Sequence, residues 1–149
     1  MTLLNVTTDN TRFLIGGILL VHGLGHGGAL GALVWLRVLP DSPTGAWLAA
    51  KSWLFPALDT PVATSVAMAF WVVAMIGFVG AALSFWGLLL SGEVWRQLAV
   101  ASAFVSLAGM IVFFGTWPAL NWLAALGVNL TVLVTQLVTR WPAQEMFGT

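Results

Sequence analysis

Long stretches of this chain carry no Lys, Arg, Asp or Glu, and that feature decides most of what it can fold into. The five basic and five acidic residues are Asp9, Arg12, Arg37, Asp41, Lys51, Asp59, Glu93, Arg96, Arg140 and Glu145. Between them run the uncharged intervals Phe13–Leu36, Thr60–Gly92 and Gln97–Thr139. A soluble domain needs roughly 25% charged residues to clothe its surface. This chain has 7%, with 60% hydrophobic residues and a mean hydropathy of +0.98. The solvent that suits such a surface is lipid. Basic and acidic residues balance, so there is no basic stripe of the kind that holds a phosphate backbone, and no nucleic-acid partner is expected. Cysteine is absent, which removes disulfides, thiolate metal sites and iron–sulfur ligation together.

A crossing of a hydrocarbon core about 30 Å thick needs about 20 apolar residues in a helix. Phe13–Leu36 is long enough for one crossing and Ala63–Leu90 for a second. Gln97–Thr139 is too long for one and is divided by Trp117-Pro118; proline suits the first turn of a helix, where its missing N–H costs nothing. The backbone of a spanning segment must satisfy its own hydrogen bonds. The expected fold is therefore all-α: a polytopic membrane four-helix bundle, one transmembrane domain over residues 1–149. The helices are expected at Arg12–Leu39, Ala63–Leu90, Glu93–Thr116 and Pro118–Arg140. The polar start Thr7-Thr8-Asp9-Asn10-Thr11 reads as a tail with an N-cap candidate. Four crossings put both termini on one side with Arg12, Arg96 and Arg140, against Arg37 and Lys51 on the other. The positive-inside rule then predicts cytoplasmic termini.

The longest loop follows the first span. After the turn cluster Pro40-Asp41-Ser42-Pro43-Thr44-Gly45, the segment Ala46–Leu58 predicts a short interfacial helix between spans 1 and 2, with Trp47, Trp53 and Phe55 in the headgroup layer and Lys51 toward water. An aromatic anchor is the plainer role for it and a lid over a ligand pocket the sharper one. Within the spans, association requires close backbone approach and interhelical hydrogen bonds. Gly23, Gly27 and Gly31 recur at i, i+4 spacing on one face, and Ser102, Ser106 and Gly109 form a second small-residue stripe. Asn129 and Gln136 lie two turns apart on the fourth span and are expected to face the bundle, joined to other helices or to a polar ligand.

His22 and His26, one turn apart on the first span, are the only ionisable side chains deep in the expected membrane region. An ionisable group at that depth is a functional candidate. Several readings stay open at this stage. A structural zinc would need further histidine or carboxylate ligands inside the membrane, and the spans contain none. Two histidines on one helix face cannot take opposite faces of a haem, so a haem would need a methionine or a second chain as its other ligand. A chlorophyll-type tetrapyrrole needs one imidazole. A quinone or lipid headgroup could accept a hydrogen bond from either ring. The plainest reading is a neutral pair bonded to neighbouring helices. The residues predicted to hold a ligand are His22, His26, Asn129 and Gln136.

The stretch Thr11-Arg12-Phe13-Leu14-Ile15-Gly16-Gly17-Ile18-Leu19-Leu20-Val21-His22-Gly23-Leu24-Gly25-His26 resembles the first helix of DoxX-like membrane proteins. Those begin with an arginine, a glycine one turn later and a His-Gly-x-x-Lys-type segment; here His26 stands where lysine is common. The resemblance implies a small four-helix bundle, sometimes associated with redox or quinone chemistry, and carries over no catalytic residue. With no carboxylate, lysine, cysteine or tyrosine in the spans to serve as acid, base or nucleophile, the sequence argues against a stand-alone enzyme. It suggests an accessory or structural subunit of a larger membrane assembly, or a homo-oligomer, that organises a quinone, lipid or tetrapyrrole beside His22 and His26.

Overall fold

The computed structural model describes residues 3–38, 51–89, 91–114 and 117–143, with side chains left undescribed at residues 3–9 and 35–37. Helices α1 (Leu3–Val38), α2 (Thr60–Phe85), α3 (Trp95–Val112) and α4 (Ala119–Leu133) follow in order, and α4 continues as a π-helical turn over Val134–Thr139. Four helices are long and apolar enough to cross a membrane, over Asn10–Val34, Thr60–Phe85, Trp95–Val112 and Ala119–Thr139. The described residues contain no β-strand.

The ends of the helices differ from the expected ones for local reasons. Helix α1 begins at Leu3, so the Thr7–Thr11 stretch is its first turns and not a capped tail. Helix α2 starts earlier than expected because Asp59 caps it: its carboxylate accepts from Val62 N–H at 2.9 Å, and Pro61 sits in the first turn. It also stops earlier. Gly87 adopts φ +71°, a left-handed conformation that costs glycine nothing. Leu88 N–H then donates to Leu83 C=O and Gly87 N–H to Ser84 C=O, both at 2.9 Å, the paired bonds of a Schellman stop. Leu90 lies outside the described residues, as do Leu39 and Thr116 at two other expected ends. Helix α3 begins at Trp95 and not at Glu93. Pro118 is the N-cap residue of α4.

The expected interfacial helix is not seen in its described half. Residues 51–59 form bends and turns, and 46–50, with Trp47, lie outside the described residues. What fixes the segment is hydrogen bonding to a neighbouring helix end. Ser52 Oγ donates to Val112 C=O at 2.9 Å, and the Trp53 indole N–H donates to Ile111 C=O. The same hydroxyl accepts from Phe55 N–H at 3.1 Å. The last carbonyls of α3 have no partner within their own helix, so the segment serves as that helix's cap.

Helix α1 packs along α2, α2 along α3, and α3 along α4. Two apolar clusters result. One gathers Leu19, Phe78, Phe85, Trp95 and Val132 toward the α2–α3 turn. The other gathers Leu33, Ala63, Trp71, Met110 and Phe113 toward the opposite end. At the first end, Arg12 Nη2 donates to Trp86 C=O at 3.1 Å and the Trp86 indole donates back to Arg12 C=O at 3.3 Å. Arg96 donates from Nε to Gln136 Oε1 at 3.0 Å and from Nη2 to Pro142 C=O at 2.9 Å. Arg12 and Arg96 thus tie helix ends together on one side of the bundle.

Small residues set the α1–α2 and α2–α3 distances, though not all of those expected. A Cβ at Gly23 would lie 3.1 Å from the backbone nitrogen of Val79 and 3.1 Å from Phe78 Cβ, and one at Gly27 would lie 3.1 Å from Met75 Sδ. Gly31 meets nothing within 4 Å. It is exposed and does not share in this contact, because two turns carry it about 80° round the helix from Gly23, while Leu33 still packs against Ala63 and Ala67 of α2. Gly77 packs directly on Ser102, whose hydroxyl bonds back to Leu98 C=O at 2.7 Å. Gly23→Leu is expected to destabilise the bundle by about 1–3 kcal/mol through overpacking, because backbone cannot move aside. Gly27→Leu should cost less, since the flexible Met75 side chain can yield. Thermal unfolding of both variants in detergent checks the order; equal stability of Gly23→Leu and wild type would contradict the packing.

Candidate functional site

Between the two apolar clusters lies a polar layer. His22 Nε2–H donates to Asn129 Oδ1 at 3.1 Å. Asn129 Nδ2 in turn donates to Ser106 Oγ at 2.8 Å and makes a longer contact of 3.6 Å with Met110 Sδ. Asn129 and Ser106 are fully buried. Because the amide nitrogen serves Ser106 and Met110, the amide oxygen is the atom that faces His22, which fixes the proton on Nε2. The chain of bonds runs α1 to α4 to α3 and pins the register of three helices in one plane, a role in which a buried polar layer is well attested.

His26 behaves differently. It is 6% exposed and lies nearly parallel to two aromatic rings, Trp71 (centroids 5.5 Å apart, 12° between planes) and Phe78 (6.0 Å, 9°). Its neighbour His22 meets it edge-on at 5.0 Å. Among the described residues His26 Nε2 has no hydrogen-bond partner, and the same holds for the indole N–H groups of Trp71 and Trp122. Buried polar atoms are nearly always paired, and an unsatisfied one costs about 1–3 kcal/mol. Three such atoms ask for an explanation.

The three rings that carry them line one cleft. Helices α1 and α4 are not packed along each other, and the space between them is a cleft of about 1080 Å³. His22, His26, Trp71, Met110, Asn121 and Trp122 line it on its polar side. On α1, a Cβ at Gly17, Gly25 or Gly28 would meet nothing within 4 Å; these glycines open the cleft where those at 23 and 27 close the α1–α2 seam. The sequence offers the pattern, since two glycine sets at different helical angles serve two different neighbours, but only the placement of α2 shows which set does which. Among the described residues, the histidines are the only ionisable side chains in the lining. No cluster of three or more metal-ligating side chains occurs among the described residues.

Of the residues predicted to hold a ligand, the fold brings three together: His22, His26 and Asn129. Gln136 is elsewhere. It is buried, but it accepts from Arg96 and donates from Nε2 to Trp141 C=O at 2.8 Å. Two helical turns carry it about 10 Å along the axis from Asn129, so it serves the helix-end tie. Ser106 joins the polar layer, while Ser102 serves the α2–α3 contact. Trp71 and Trp122 were missed as site residues by sequence reasoning, and Met110 was reached only as one of the methionines that could serve a haem. Isolated aromatics and methionines in apolar spans read as core or belt, and nothing in their spacing separates them from that role. No protein-family model matches the chain, and neither a curated protein nor a solved structure matches it.

Proposed function

We propose that this chain is a multi-pass integral membrane subunit that holds a flat, carbonyl-bearing amphiphile of the quinone type in the cleft between α1 and α4. One observation carries the reading: three buried ring nitrogens without partners, on His26, Trp71 and Trp122, all in rings that wall a cleft sized for a ligand. The nitrogens themselves are shielded from the cleft, and an indole N–H can only donate, so a molecule that draws these rings round presents acceptor oxygens. A transmembrane helix from a partner is a poor match, because its carbonyls are already used along its own axis. The volume sits at the upper end of the roughly 300–1,000 Å³ typical of small-molecule pockets. The χ2 torsion of an imidazole is soft, so His26 can turn a ring nitrogen toward the cleft while keeping its aromatic stack.

The resemblance of the first helix to DoxX-like proteins agrees with a quinone-associated role. The cleft offers binding groups and no acid, base or nucleophile beyond the imidazoles, which suits an accessory subunit acting with another membrane protein or with further copies of itself. The termini belong on the cytoplasmic side, supported by Arg12, Arg96 and Arg140 at that end. Residues 51–58 belong to the opposite headgroup layer, supported by the exposure of Trp53, Leu54 and Phe55 beside Lys51.

The protein purified gently from membranes is expected to be free of visible absorption from a porphyrin and to yield a quinone on organic extraction and mass spectrometry. A Soret or Qy band lost in a His26 variant would reassign the occupant to a tetrapyrrole. Neither pigment nor quinone in repeated extractions would defeat the binding reading. Native gel electrophoresis of the same preparation reports whether a partner or further copies travel with it.

A further inference from the structure

We infer that the molecule bound in the cleft is a long-chain amphiphile lying along α1, its polar head toward the 51–59 end of the bundle and its single apolar chain running toward Arg12. This deepens the binding role just proposed and rests on it. The two halves of the cleft differ in chemistry. Every polar group in the lining, from His22 and His26 to Asn121 and Trp122, lies at or beyond the level of His22. On the other side of His22, α1 contributes only Phe13, Leu14, Gly17, Ile18 and Val21. At the helical rise, the apolar stretch from His22 back to Phe13 is about 14 Å long.

That stretch is shaped for a chain. Gly17 forms its floor, with open space where a side chain would stand. Phe13, Leu14 and Val21 rise beside it, each at least 65% exposed. A ring-sized head engaging His26, Trp71 and Trp122 leaves this length of cleft over, and no polar atom of the lining there would reward a polar group. Because α1 and α4 are apart, the cleft opens sideways between them, so a ligand enters from the membrane and its chain need never meet water.

The test uses the full chain in lipid nanodiscs and a benzoquinone carrying a ten-carbon chain with a diazirine at its far end. After irradiation, adducts are mapped by mass spectrometry, and only labelling suppressed by excess decylubiquinone is counted. Suppressible adducts are expected within Phe13–Val21, and Gly17→Phe, which fills the floor, should abolish them. Its fold should persist, because a Cβ at this position meets nothing within 4 Å; should Gly17→Phe fail to fold, Gly17→Leu carries the same test. Suppressible adducts at Ala29–Ala32 or at Trp117–Trp122 would place the chain the other way and overturn this inference while leaving the binding site standing. Unchanged labelling in a folded Gly17 variant would overturn it as well. The complete absence of suppressible adducts would overturn the binding role itself, and this inference with it.

Discussion

Asn129→Leu should destabilise the bundle more than any other single change in the polar layer. The amide touches helices α1 and α3 at once, through His22 at 3.1 Å and Ser106 at 2.8 Å. Its loss strands a donor on one side and a hydroxyl on the other. In a water-soluble core each stranded group would cost about 1–3 kcal/mol. Within a bilayer the unfolded helices also find partners, and interhelical hydrogen bonds average nearer ~0.6 kcal/mol, with a maximum near ~1.7. Two bonds on a fully buried residue therefore give an expected loss of about 1–3 kcal/mol. Ser102→Ala is the internal control. Its hydroxyl bonds only its own helix at Leu98, so its loss should be smaller. Denaturant or thermal unfolding in micelles measures both. If Asn129→Leu unfolds with the wild type, the polar layer does not hold the helices in register.

His26→Phe is expected to behave in the opposite way, keeping the fold and losing the ligand. Phenylalanine preserves the stack on Trp71 and Phe78 and removes a nitrogen that has no partner among the described residues. Stability should stay level or rise, because a buried polar atom without a partner is a cost and not a support. Ligand retention should fall about tenfold or more, equivalent to ~1.4 kcal/mol of lost binding. The pair of measurements separates two roles for two adjacent histidines. His22 acts through Asn129 in the architecture, and His26 faces a cleft. If His26→Phe instead unfolds readily while co-purifying the same amount of quinone, His26 is a packing residue and the proposed site is wrong.

The contrast between Asn129 and Gln136 shows where sequence reasoning stops. Asn129 and Gln136, the two amides deepest in the fourth span, had to turn away from lipid, and they are buried at 0% and 7% exposure. Their partners depend on which residues of other helices sit at the same depth. Arg96 meets Gln136 because the α2–α3 turn is short and places the start of α3 beside the end of α4. His22 meets Asn129 because α1 and α4 run antiparallel on either side of the cleft. Neither fact is local to a segment. The glycines show the same limit: Gly23 and Gly31 belong to one i, i+4 series, yet one touches α2 backbone and the other meets nothing within 4 Å.

Sequence by itself determined the class of solvent, the number of membrane-length helices and the approximate place of each. Those follow from the transfer cost of charge and from backbone hydrogen bonds that each helix closes internally, and both can be read one segment at a time. Helix ends were set by short-range chemistry that the sequence also contained, in the Asp59 cap and the Gly87 stop. Only the tertiary structure decided that α1 and α4 stand apart, that one imidazole is paired while the other's Nε2 has no partner among the described residues, and that Trp71 and Trp122 line one cleft. Those outcomes depend on the separation and rotation of helices far apart in the chain, where packing between neighbours, and not the preference of any segment, sets the geometry.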